Sequence, residues 1–152
     1  MKILMVCLGN ICRSPLAEAI LREKADAQNL DIEIDSCGTG NYHIGEPPDE
    51  RSQANALKNG IDISYLRARQ FKVTDFEAFD RIFVMDQSNY NNVAKVSSHP
   101  EQMKKVEFIL NTLNPGSNES VPDPYFGGES GFQRVFELLD AACDKIVEDL
   151  AR

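Results

Sequence analysis

The stretch Lys2-Ile-Leu-Met-Val6 is a short, mostly apolar run that stops at Cys7, and after the loop Leu8-Gly-Asn-Ile-Cys-Arg13 an amphipathic segment, Pro15 to Gln28, begins. The run reads as a buried strand, and Ser14 and Pro15 suit the N-cap and first position of a helix. Cys7 therefore stands where strand gives way to helix. Backbone N–H groups of the loop turn inward at such a junction and, with the positive end of the helix, make an anion site. The same field favours the thiolate, the nucleophilic form of cysteine. Gly9 and Asn10 tolerate the left-handed backbone that such a loop demands. Arg13 adds a planar, permanently charged fork for two phosphoryl oxygens. The stretch thus reads as a phosphate cradle built from Leu8, Gly9, Asn10, Ile11, Cys12 and Arg13, with Cys7 at its base. Taken singly, Cys7 is as readily a core cysteine and Arg13 a solvated helix-start residue. Glycine, asparagine and a capping serine at these offsets make the cradle the better reading.

Strand-like runs alternate with amphipathic stretches along the rest of the chain, the pattern of an α/β domain with a mainly parallel sheet. Strands are expected at Lys2 to Val6, Asp31 to Cys37, Arg81 to Met85 and Val106 to Leu110, and helices at Pro15 to Gln28, Asp49 to Asn59, Ser88 to Val96 and Gly131 to Leu150. In the last helix Phe132, Val135, Phe136, Leu139, Cys143, Ile146 and Leu150 recur at helical spacing, a core stripe in which Cys143 is inert. Two irregular segments, Gly38 to Pro48 and Asn114 to Gly128, leave the sheet edge at which Cys7 lies. Ligands of doubly wound sheets bind at that edge.

At 152 residues the chain makes one domain, 1–152, that buries a core without disulfides or metal. The apolar run Ile3 to Leu8 is too short for a signal-peptide core or a membrane span. Cys7 and Cys12 flank a tight loop while Cys37 and Cys143 stand alone, which suits a reduced, cytoplasmic protein. A formal charge of −8 argues against nucleic acid or an anionic membrane as partner, so the anion site has to be local. No second ligand pair accompanies Cys7 and Cys12, so no metal site and no cofactor are expected. The chain is expected to act as a monomer or weak dimer.

A thiolate that attacks a phosphomonoester needs charge stabilisation for the transferring group and a proton for the departing oxygen. Asp123 is the candidate donor, because Pro124 disfavours helical dihedrals and holds it extended over the pocket. Alone, Asp-Pro more often means a turn. Ser14 has two compatible jobs, capping the helix and hydrogen-bonding the Cys7 sulfur, and Asn10 braces the loop. Tyr42 in the first irregular segment and Tyr125 with Phe126 in the second suit the walls of a slot deep enough for a phenyl phosphate. His43 stands beside the slot without a required role, and His99 is read as solvent-facing.

These residues also resemble a known family, the low-molecular-weight protein tyrosine phosphatases. The resemblance covers nearly the whole chain: Cys7 to Pro15, Ala68-Arg69-Gln70, Phe79-Asp80 running to Met85-Asp86 and Ser88-Asn89, and Asp123-Pro124-Tyr125-Phe126-Gly127. It implies a four-stranded parallel sheet in the order 2-1-3-4 with helices on both faces. It also implies hydrolysis of phosphotyrosine in protein substrates through a phosphocysteine on Cys7, with Arg13 holding the phosphoryl group. In that scheme Asp123 is general acid and then base. Many members carry a second tyrosine where this chain has Phe126, which removes a hydroxyl but not the apolar wall. A thioredoxin-coupled arsenate reductase on the same scaffold needs resolving cysteines, and none lies between Cys37 and Cys143. A noncatalytic phosphoprotein-binding module needs neither nucleophile nor acid. Cys12 has two open readings: a partner that captures oxidised Cys7 as a disulfide, or a small apolar packing residue.

Overall fold

β1 (Lys2–Cys7) places Ile3, Met5 and Cys7 in one core cluster and Leu4 and Val6 in another, and all five are buried. A strand alternates its side chains between faces, so an apolar run of this kind belongs at the centre of a sheet covered on both sides. β1 pairs in parallel with β2 (Glu33–Gly38) and β3 (Arg81–Val84), and β3 pairs with β4 (Val106–Phe108), giving the order 2-1-3-4. The computed structural model describes residues 1–125 and 128–152.

Six α-helices surround the sheet among the described residues: α1 (Arg13–Ala27), α2 (Glu50–Lys58), α3 (Asp75–Ala78), α4 (Gln87–Val96), α5 (Pro100–Met103) and α6 (Glu129–Leu150). On one face α1, α2 and α6 join Ile3, Met5, Phe83 and Met85. On the other, Phe76 of α3 and Val93 of α4 cover Leu4, Val6, Ile82 and Val84. The α6 stripe is core as expected: Val135, Phe136, Leu139, Cys143 and Ile146 are all buried.

Most elements differ from expectation only at their ends, but β4 and the short helices differ for a reason. β4 stops at Phe108, and residues Ile109–Thr112 form a 3-10 turn. Val106 and Phe108 belong to the cluster under α3 and α4, whereas Ile109 and Leu110 belong to the cluster under α1 and α6. A continued strand would hold Phe108 and Leu110 on one face, and the turn sends Leu110 to the other. At four residues each, α3 and α5 are too short to show a helical period in sequence.

Candidate active site

Cys7 is the last residue of β1, in register with Gly38 at the end of β2, and it is buried. The chain then turns back to start α1, and Asn10 takes a left-handed conformation, φ 57°, in that turn. This brings the Asn10 N–H to 3.3 Å from the Cys7 Sγ. The Asn10 side chain uses both its donors and its acceptor oxygen: Nδ2 donates to Ser14 Oγ at 2.8 Å and Ser36 Oγ at 3.0 Å, and Oδ1 accepts from the Arg69 N–H at 3.1 Å. Ser36 passes the chain on, donating to Glu18 Oε1 at 2.6 Å, and Glu18 is tied in turn to Arg22. Of the two residues expected to suit a left-handed backbone, Asn10 takes it and Gly9 does not, and three side-chain bonds hold the non-glycine residue there.

The expected cap is corrected. α1 starts at Arg13 with Cys12 as its N-cap and no side-chain capping bond, so Ser14 lies inside the first turn. Its hydroxyl faces Cys7 instead, 3.0 Å from its Sγ and 3.3 Å from the Cys37 carbonyl. One hydroxyl proton serves two acceptors, so it can turn to the sulfur when Cys7 is ionised and to the carbonyl when it is not. The uncapped first-turn N–H groups are left available to an anion.

Arg13 is buried, and its Nη1 donates to Asp86 Oδ2 at 2.7 Å and to the Val121 carbonyl at 3.0 Å. Burial opposes its charge, but the Cys7 sulfur and the carboxylates of Asp86 and Asp123 outweigh that and raise its pKa. Asp86 lies two residues past the end of β3 and caps α4 in a reciprocal box with Asn89, so it is fixed before it meets Arg13. Its role is not evident from sequence. An acid just past a strand end at the ligand-binding edge, followed by Ser88-Asn89, is the only signal for it.

Cys7, Leu8, Gly9, Ile11, Cys12, Arg13, Tyr42, His43, Asp123 and Tyr125 line one cavity of about 340 Å³. Asp123 is partly exposed and lies 3.8 Å from Arg13 Nη2. Its Oδ1 accepts the Tyr125 N–H at 3.0 Å, a turn that orients the carboxylate. The turn expected of an Asp-Pro pair is present, and its carboxylate stands at the cavity beside Arg13. Tyr42 and Tyr125 are exposed at the mouth, while Phe126 lies outside the described residues. His43 borders the cavity with its Nδ1 2.9 Å from Glu46 Oε2, and His99 is exposed as expected. Arg51 was not singled out from sequence: its guanidinium lies 5.1 Å from the Tyr125 ring centroid and 5.0 Å from that of Phe132. Burial above all, then the charges of Asp49, Cys7 and Asp123, push the Cys12 thiol well above its ordinary range, against Arg51. Burial likewise pushes up the thiols of Cys37 and Cys143.

Residues 2–152 match the family model described as low molecular weight phosphotyrosine protein phosphatase. The chain is 44% identical over 143 residues to a low molecular weight phosphotyrosine protein phosphatase of Schizosaccharomyces pombe, covering 91% of this chain and 90% of the relative. The human protein described in the same words is 38% identical over 148 residues, covering 96% and 93%. Among solved structures, a protein tyrosine phosphatase of Entamoeba histolytica with Hepes in its active site superposes with a TM-score of 0.92 at 36% identity, covering 99% of this chain and 97% of that one.

Proposed function

Because the chain belongs to the low molecular weight phosphotyrosine protein phosphatase family, we propose that it hydrolyses phosphotyrosine in proteins through a phosphocysteine on Cys7. The observation that carries this reading is the convergence in one slot of a buried cysteine and a buried arginine from the β1–α1 junction with an aspartate more than a hundred residues away in the chain. Cys7 Sγ attacks phosphorus in line with the tyrosyl oxygen. The sulfur lone pair forms the S–P bond while the P–O bond breaks and its electrons leave on the phenolate. Asp123 delivers its proton to that oxygen. Arg13, anchored along one side by Asp86 and Val121, turns its remaining N–H groups to the phosphoryl oxygens, and loop amides take the rest. The Asn10 N–H and Ser14 hydroxyl stabilise the sulfur as attacking thiolate and again as leaving group. In the second half Asp123 takes a proton from water, which attacks phosphorus and releases Cys7 and inorganic phosphate.

A phosphotyrosine ring reaches the base of the slot between Tyr42 and Tyr125, whereas phosphoserine places its phosphorus too high. The scheme uses neither a metal nor a cofactor. Among the described residues no helix is long and apolar enough to cross a membrane.

The test compares substrates of different leaving-group quality. Tyrosine's phenolate has a conjugate-acid pKa of about 10 and leaves poorly without a proton, whereas a nitrophenolate needs little help. Asp123→Asn is therefore expected to slow the phosphotyrosine burst by about 10²–10⁴ and the nitrophenyl phosphate burst far less. Cys7→Ser is expected to abolish both while still binding phosphate. Equal, modest losses on both substrates with a lower Tm would make Asp123 a turn residue only. Substantial hydrolysis by Cys7→Ser would refute the covalent route, and arsenate reduction with thioredoxin would favour the reductase.

A further inference from the structure

Arg69 lies outside the slot, yet its backbone and side chain connect the slot to two other elements. Its N–H donates to Asn10 Oδ1 at 3.1 Å, and its carbonyl accepts the Gly38 N–H at 2.8 Å. Gly38 stands opposite Cys7 in the sheet. A Cβ built on Gly38 would come within 2.6 Å of the Leu8 carbonyl oxygen, so the strand end bonded to the segment carrying Arg69 lies directly against the phosphate loop. The guanidinium holds the segment from both sides: Nε donates to Asp35 Oδ2 of β2 at 3.0 Å, and Nη1 and Nη2 form a fork on Asp75 of α3 at 3.0 and 3.1 Å. Asp75 is buried and also accepts the Lys72 N–H, so the fork closes on a fixed carboxylate. Burial opposes the charge on Arg69, and the bond to Asp75 with the charges of Asp35 and Asp75 overcomes it.

We infer that Arg69 is a positioning residue for the nucleophile: clamped between Asp35 and Asp75, it sets the height of its own N–H, which holds Asn10 in the left-handed turn that aims the Asn10 N–H at Cys7 Sγ. Of the three side-chain bonds that hold Asn10, this is the one its Oδ1 accepts, while the other two are donated by its Nδ2 to Ser14 and Ser36. A charged fork is needed at position 69, because its spread donors span a β2 carboxylate and an α3 carboxylate together and both partners are acids.

The inference rests on the phosphatase reading for its catalytic consequence but not for its geometric one, so two readouts are used. The first is the rate at which iodoacetate alkylates Cys7, followed by intact mass with inorganic phosphate as protecting ligand. The second is the single-turnover rate of phosphocysteine formation from nitrophenyl phosphate. Arg69→Gln is expected to slow both on the order of tenfold, the scale of coupling between members of one hydrogen-bonded network, with phosphate protection retained. Arg69→Lys should recover part of the loss. In an Asn10→Ala background Arg69→Gln should add almost nothing, because the contact it works through has gone. Losses that multiply in the double variant, or a parent-like alkylation rate in Arg69→Gln, would overturn the inference. Should Arg69→Gln fail to fold, Asp75→Asn loosens the same fork with an isosteric side chain and is read by the same two rates. A parent that alkylates normally but hydrolyses no aryl phosphate would refute the phosphatase reading while the alkylation series still decides this one.

Discussion

At the scale of single residues, the site works by leaving few groups free to choose a partner. Arg13 has one nitrogen committed to Asp86 and Val121, so its orientation is set before substrate arrives. Lysine at that position would keep a charge but lose the fork, and Arg13→Lys is expected to reduce kcat/KM by about 10²–10³ with Tm within a degree or two, measured by steady-state kinetics and calorimetry. Gly38 is a different kind of constraint. A methyl group there would meet the Leu8 carbonyl and Gly9 backbone at 2.6 and 3.0 Å, and backbone cannot swing aside as a side-chain tip can. Overpacking of this kind costs about 1–3 kcal/mol. Gly38→Ala should therefore lower Tm and lower kcat more than proportionately, since the displaced atoms are those of the cradle. Cys12 shares the slot with Cys7, and its thiol is held protonated by its surroundings. If peroxide converts Cys7 to a sulfenic acid, the Cys12 sulfur can attack its sulfur while the hydroxyl leaves with the Cys12 thiol proton as water, forming a disulfide that a reductant reopens. Each enzyme is then compared with its own untreated activity. The parent should recover after dithiothreitol and Cys12→Ser should not, and equal recovery would leave Cys12 as a packing residue.

Between elements, the rim depends on a contact from α2. Asp49 caps that helix through the Arg51 N–H and also holds the Arg51 side chain by two bonds, 3.1 Å to Nε and 3.0 Å to Nη2. The guanidinium so held lies against Tyr125 and Phe132, linking the slot wall to α6. Arg51→Ala removes that support without touching Cys7. It is expected to raise KM for phosphotyrosine peptides several-fold at nearly constant kcat and to narrow the preference over phosphoserine, a split that competition kinetics reads directly. Asp49→Ala should give the same KM effect together with a loss of about 1 kcal/mol of stability from the cap. The cap, Asp49 before Glu50, is visible in sequence; the contact that carries it to Tyr125 is not, because the two residues are brought together by the sheet and not by spacing.

For the whole molecule, the charge of −8 leaves the anion site dependent on a few local groups, and one acid beneath them marks how stability responds to pH. Burial raises the Glu18 carboxyl above its ordinary pKa of 4.5, and the hydrogen bonds from Ser36 and Arg22 only partly offset it. The folded state then binds a proton more tightly than the unfolded chain, so this group's contribution is complete below pH 4.5 and is lost as pH rises through the raised value. Glu18→Gln should remove that component: the Tm difference between parent and variant shrinks in favour of the variant as pH climbs from 4 towards neutrality, roughly the window a raised carboxyl titrates in. The sequence by itself determined the strand-loop-helix at Cys7, the α/β class and the α6 core stripe, because each rests on neighbours in the chain and on periods of two or 3.6 residues. It also placed Cys7, Arg13, Asp123, Tyr42 and Tyr125 as candidates, now seen lining one slot. Only the tertiary structure decided that Ser14 serves the sulfur and not a cap, that Asp86 and Val121 anchor Arg13, and that Arg69 holds Asn10. Those contacts join residues 59 to 108 positions apart for Asn10–Arg69, Arg13–Asp86 and Arg13–Val121. No local period encodes such a contact, which exists only once β1, β2 and β3 lie side by side.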